Sequence, residues 1–300
     1  MNRRLWAYVL ITYGVSFAFV GGLYLAGVTY EGTIGLVMAI TYMMIPALVA
    51  IGMHWKAGES IRDHLWIRFN IGKWWLVALT LPVGLAFFAL LFSLLMPGVG
   101  FDPEMNFYLE LLEDALTAEE LAEAQAFFDR FPWPLLLLLN LAQAIGFGAT
   151  VNAVAGTGEE LGWRGFMLRE LAAKGFWTSS LIIGVAWGFW HAPLILQGHN
   201  YPEYPLLGVF LMTLFCILLS PLFSWVTVKC RSAVAAGVMH GVFNASAGFS
   251  IIYLSDHIEP FTGIMGLLGL ASLAVANLVL FVWARPSFDD LEWFEEVNAE

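Results

Sequence analysis

Residues 133–165 read WPLLLLLNLAQAIGFGATVNAVAGTGEELGWRG. The first part, to about 156, is an apolar run of the length that crosses ~30 Å of hydrocarbon, which takes ~20 helical residues. The rest sets two adjacent carboxylates, Glu159 and Glu160, and then Arg164 where that run gives way. Other apolar runs lie at about 6–27, 33–55, 74–96, 177–197, 205–228, 232–253 and 260–284. With 60% apolar and 12% charged residues and a mean hydropathy of +0.76, the chain does not describe a water-soluble domain. A chain in lipid must satisfy its backbone internally, so the fold class is all-α: a polytopic membrane protein with eight transmembrane helices.

The basic residues test that count, because Lys and Arg collect on the cytoplasmic side. With the N-terminus inside, Arg3, Arg4, Lys56, Arg62, Arg68, Lys73, Arg164, Arg169, Lys174, Lys229, Arg231 and Arg285 fall on one side and only Arg130 falls opposite. Both termini are therefore expected to be cytoplasmic. The first run follows Met-Asn-Arg-Arg but exceeds the 7–15 apolar residues of a signal peptide, so it is read as a retained helix.

No repeat, low-complexity tract or long linker divides the chain, which reads as a single transmembrane domain over 1–300. The formal charge of −11 comes mainly from an acidic extracytoplasmic loop at about 97–132, with a surface helix around 103–129, and an acidic cytoplasmic tail at about 286–300. Both read as solvated acidic surface, and neither invites nucleic acid. Cys216 and Cys230 share one predicted helix about 21 Å apart at ~1.5 Å per residue, too far to bridge.

The chemistry-bearing residues lie in or beside the apolar runs. If 159–164 is helical, Glu160 and Arg164 are an i,i+4 pair in the favourable order. Glu159, rotated by ~100° from its neighbour, points elsewhere, and a desolvated carboxylate suits a general base. His191, in Trp187-Gly-Phe-Trp-His191, lies well inside the fifth run, and His240 with Asn244 shares one face of the seventh. Intramembrane ionisable groups are functional candidates, although buried histidines and asparagines also serve as interhelical polar contacts. His54, His64, His199 and His257 fall at run ends or in loops and read as surface or interfacial. Trp74-Trp75 reads as an interfacial anchor, and Met43-Met44 as packing.

Three motifs in this order resemble the type II CAAX prenyl proteases and their bacterial relatives, the CPBP or Abi family of intramembrane proteases. Glu-Glu-x-x-x-Arg matches Glu159, Glu160 and Arg164. Phe-x-x-x-His stands here as Trp187-x-x-x-His191, with Trp in place of Phe, and His-x-x-x-Asn matches His240 and Asn244. Each motif is short, but the ordered set in separate membrane helices is specific. It covers about 150–250.

The resemblance implies an intramembrane endopeptidase whose cavity opens towards the cytoplasm. The catalytic set would be Glu159, His191, His240 and Asn244, supported by Glu160, Arg164 and Trp187. Glu159 would activate water, aided by His191. His240 and Asn244 would donate to the developing oxyanion, where one donor is worth about 3–4 kcal/mol. No cofactor is expected. The alternative is a zinc enzyme with Glu159, His191 and His240 as ligands, against which stands the lack of His-Glu-x-x-His. A transporter would show matching broken helices in two halves, and none is seen; a non-catalytic scaffold or immunity protein would not need the complete set. The expected partners are membrane lipid and a peptide or protein substrate, with a C-terminally prenylated one implied by the family. The expected location is a cell membrane, or the endoplasmic reticulum in a eukaryote.

One difficulty lies in depth. With the fifth helix starting at 177, His191 lies ~21 Å and His240 ~13 Å from the cytoplasmic edge, whereas Glu159 lies near zero, at ~1.5 Å per residue. Residues 157–176 are therefore expected to dip into the membrane, with Pro193 or helix tilt shifting the fifth span.

Overall fold

A computed structural model describes residues 3–113 and 116–288. Among them, eight helices are long and apolar enough to cross a membrane: α1 (Arg3–Leu25), α2 (Gly32–Ala57), α3 (Lys73–Ser93), α6 (Trp133–Lys174), α7 (Phe176–Ile195), α8 (Pro205–Cys230), α9 (Ala233–Ile252) and α10 (Leu267–Ala284). Two further helices, α4 (Asn106–Glu113) and α5 (Ala118–Arg130), lie between α3 and α6. The chain is a multi-pass, all-α membrane protein, and the described residues hold no strand beyond the isolated bridge of Phe101 with Leu254. Most of the acidic tail, residues 289–300, lies outside the described residues.

The fourth helix corrects the depth expectation. It does not stop at 156 but continues to Lys174, 42 residues in all, which at ~1.5 Å each is ~60 Å. Two π-helical stretches, Gly148–Asn152 and Leu161–Met167, interrupt its winding, and such stretches are frequent at functional sites. Gly175, with φ of 80°, turns the chain into α7. Glu159 lies sixteen residues before this glycine and His191 sixteen after it. An antiparallel helix pair therefore sets both at one depth, with no dip. Arg164 likewise is not a boundary residue but a buried one.

Close helix contact is made possible by missing side chains. A Cβ on Gly184 of α7 would lie 2.6 Å from Ile217 Cα of α8, and one on Gly156 of α6 would lie 2.7 Å from the Gly237 carbonyl oxygen of α9. Around these contacts sits an aromatic core in which Tyr42 donates to the Trp190 carbonyl at 2.5 Å and Trp190 Nε1 donates to Ser16 at 2.7 Å. These bonds tie α1, α2 and α7 together.

The two ends of the bundle differ in charge. At one end Arg4 pairs with Glu59 and lies 3.5 Å from Glu170, Ser232 donates to the Arg68 carbonyl, and Lys73 and Lys229 each lie 5.5 Å from the Trp74 ring. The Trp74 contacts fit the anchoring role read from sequence. His54, expected at the surface, is instead buried beside Arg4 and Glu59, because the N-terminal residues of α1 fold over it. At the other end, the expected helix at 103–129 is two helices. Asp102 accepts from Glu104 N, Asn106 Nδ2 and Phe107 N, capping the first of them. Met105 and Leu109 are buried, and Met105 packs with Tyr253 and Leu254, so this acidic segment has an apolar underside as well as a solvated face.

Two measurements check this packing. Gly184→Leu forces side-chain atoms into the α8 backbone, where overpacking costs ~1–3 kcal/mol, so it lowers the unfolding temperature in detergent. Gly22→Ala, which meets nothing within 4 Å, leaves it unchanged. The second concerns the basic end, where Arg4 holds the Glu59 carboxyl at about 2, below its ordinary 4.5. A carboxyl with a lowered folded-state pKa stabilises above its unfolded value and loses that contribution as pH falls through the folded one. Thermal stability therefore falls as pH drops from about 4.5 towards about 2, and Glu59→Gln removes that part of the fall.

Candidate active site

The helices place the sequence-read residues around one cavity of about 850 Å³, lined by Glu159 of α6, Trp187 and His191 of α7, and His240 and Asn244 of α9. Its walls are otherwise largely apolar, including Met43 and Met44 of α2 and Phe223 of α8. Glu159, Glu160 and Arg164 are at most 1% exposed and His240 is 5% exposed, whereas Asn244 is exposed and His191 half-buried.

Three ionisable groups, Arg164, Glu160 and His240, form a compact cluster. Arg164 Nη1 donates to both Glu160 oxygens, at 2.9 and 3.1 Å, which is the i,i+4 pair expected from sequence. Glu160 Oε1 also accepts from His240 Nδ1 at 2.8 Å. Glu160 thus fastens α6 to α9 and orients His240. Among the described residues the remaining guanidinium nitrogens of Arg164, Nε and Nη2, have no hydrogen-bond partner, and its Cζ lies 4.6 Å from the Trp187 ring centroid and 5.0 Å from that of Phe223. Aromatic faces stabilise a cation most where water is excluded.

Glu159 is held differently. Its Oε2 accepts from Trp187 Nε1 at 2.6 Å and from Trp163 Nε1 at 3.3 Å. The sequence named Trp187 as a supporting residue without this role for its indole, and it did not single out Trp163, although a residue four positions after Glu159 was within reach of helical spacing. His191 Nδ1 donates to the Trp187 carbonyl at 2.9 Å, which leaves Nε2 as its acceptor nitrogen.

The position of the cavity differs from expectation. Its lining includes Leu36 of α2, Thr150 of α6, Leu194 of α7, Met212 of α8 and Ala247 of α9, all in the parts of these helices away from the basic end. His199, expected at the surface, is partly buried at the mouth and makes a 2.8 Å hydrogen bond with Tyr30. Burial lowers its pKa to about 4, so it serves there as a neutral hydrogen-bonding group.

Hydrogen bonds already occupy part of the donor set that the zinc alternative would use. Among the described residues no three His, Cys, Asp or Glu side chains converge to hold a metal. His240 Nδ1 is committed to Glu160, and Glu159 Oε2 to the two indoles.

Comparison with known proteins bears on the same region. Residues 133–246 match the family model described as "Rce1-like: Type II CAAX prenyl endopeptidase Rce1-like", a stretch that takes in α6 to α9 up to Ser246 and every candidate residue. Among curated proteins, the CAAX prenyl protease 2 of Methanococcus maripaludis is 24% identical over 176 residues, 49% of this chain and 64% of that relative's length. The chain thus spans somewhat less than two thirds of the curated relative it matches. The motif resemblance and the matched segment fall on the same residues: the stretch 133–246 of this chain is similar to the type II CAAX prenyl endopeptidases.

Proposed function

We propose that this protein is a metal-free intramembrane endopeptidase of the CAAX prenyl protease type, hydrolysing a peptide bond with water activated by Glu159. The observation that carries this reading is the convergence of Glu159, His191, His240 and Asn244 on one cavity inside the bundle. Glu159 takes a proton from the attacking water through Oε1, the oxygen not held by the indoles. His191 Nε2 accepts a hydrogen bond from the same water, because its Nδ1 is fixed on the Trp187 carbonyl. As the carbonyl carbon becomes tetrahedral, its oxygen gains negative charge and receives hydrogen bonds from His240 Nε2 and Asn244 Nδ2.

Donation from His240 Nε2 requires the doubly protonated ring, since Nδ1 already donates to Glu160. In that form two carboxylates, one guanidinium and one imidazolium sum to zero, the arrangement that an apolar interior tolerates best. The proton held by Glu159 then passes to the leaving amine, which completes hydrolysis. The largely apolar walls and the volume of about 850 Å³ suit a peptide carrying a lipid-modified residue, and the name of the archaeal relative points to a prenylated one. The basic end is placed in the cytoplasm of a cell membrane, or of the endoplasmic reticulum in a eukaryote.

The test is cleavage of a farnesylated CAAX-type reporter peptide by the purified protein. Glu159→Gln lowers kcat by roughly 10²–10⁴-fold, the usual weight of a general base, while a zinc chelator leaves the wild-type rate unchanged. Full cleavage by the Gln variant, or loss of wild-type cleavage on chelation, contradicts the mechanism.

A further inference from the structure

We propose that Trp187 is a positioning residue for Glu159: with Trp163 it forms a two-indole clamp that holds one carboxylate oxygen and aims the other into the cavity. The kinetic consequence rests on the reading of Glu159 as the base; the clamp itself does not.

The two indole N–H groups meet on the same atom. Trp187 Nε1 lies 2.6 Å and Trp163 Nε1 3.3 Å from Glu159 Oε2. Among the described residues Oε1 has no hydrogen-bond partner, and it is not among the buried polar atoms left without one, so it faces open space in the cavity that Glu159 lines. A carboxylate with two donors on one oxygen cannot rotate its other oxygen away from the cavity without losing both bonds. The two oxygens thus have separate tasks, one held and one free.

The clamp is itself held. Trp187 is 3% exposed and Trp163 0%. One face of Trp187 meets the Arg164 guanidinium at 4.6 Å, its ring lies 5.7 Å from that of Phe223, and its carbonyl is bound by His191. Trp163 packs edge-on against Trp190 at 5.6 Å and Tyr8 at 6.2 Å. An indole N–H is a donor and never an acceptor, so the clamp orients the carboxylate without competing for the proton it moves.

Position 187 is where this chain departs from the Phe-x-x-x-His pattern of the motif it resembles. A phenylalanine there keeps an aromatic face for Arg164 and a ring beside His191, but has nothing to offer Oε2. Trp187 therefore couples the Arg164–Glu160–His240 cluster, through its face, to the Glu159 carboxylate, through its edge.

Two readouts test the clamp. In protein labelled with ¹⁵N at tryptophan in detergent micelles, the Trp187 indole resonance, identified by its loss in Trp187→Phe, lies downfield. It moves upfield in both Glu159→Ala and Glu159→Gln. An indole signal that stays in place in the folded variants overturns the clamp, whether or not any peptide is cleaved. In the reporter assay Trp187→Phe lowers kcat about 10- to 100-fold, the weight of one hydrogen bond to a charged group, with KM and unfolding temperature unchanged. Trp163→Phe, which removes the longer bond, has the smaller effect. An unchanged kcat in Trp187→Phe, or a fall matched by equal loss of thermal stability, also overturns it. If the wild type cleaves no reporter, the protease reading falls and the resonance alone decides the clamp.

Discussion

A buried ion pair that cannot be left alone governs this structure. An isolated carboxylate or ammonium moved into a low-dielectric interior costs of order 20 kcal/mol before relaxation, and Glu160 and Arg164 have fully buried side chains. They persist because Arg164 meets Glu160 through two hydrogen bonds and Glu160 meets His240. That requirement explains much of the architecture around it. The fourth helix must run on to carry Arg164 one turn past Glu160, and α9 must approach closely enough to deliver His240. Gly156 and Gly237 make the approach possible by removing the side chains that would stand between them. Removing one member of such a pair leaves an uncompensated buried charge.

Glu159 stands apart from this network although it adjoins it in sequence. Successive helical residues point ~100° apart, so one carboxylate turns to the ionic cluster and the other to the cavity. One becomes a fastening and the other a candidate reactant. The indoles that hold Glu159 neutralise no charge; they set direction only. In the proposed mechanism this division leaves the ionic cluster intact while the cavity-facing oxygen exchanges its proton.

Much of this was legible in the sequence for reasons that are local. Hydropathy found the eight spans, helical spacing found the Glu160–Arg164 pair, and polar side chains in or beside apolar runs singled out Glu159, His191, His240 and Asn244 as candidates. The misreadings have equally physical causes. Charged residues and glycines between 157 and 174 lower the local hydropathy, so the fourth helix seemed to end eighteen residues before Lys174. The partners of Glu159 Oε2 include a residue 28 positions away, and no periodicity within one helix reports on a contact between two. His54 looked interfacial because its place at the end of α2 says nothing of Arg4, which reaches it from α1. The cavity was expected to open on the basic side because the basic-residue count places Glu159 there, yet much of its lining comes from the opposite parts of the helices. Depth and direction of opening depend on how helices lean against one another, and a hydropathy profile holds neither.

The most direct test of the central claim is an experimental structure with a peptide aldehyde bound, since its hydrate has the geometry of the tetrahedral intermediate. The account predicts one hydrate oxygen within ~2.6–3.2 Å of Glu159 Oε1 and the other between His240 and Asn244, with Glu160 still joined to Arg164 and His240. A hydrate lying beyond hydrogen-bond reach of Glu159, or bound through a metal ion held by Glu159, His191 and His240, would contradict it.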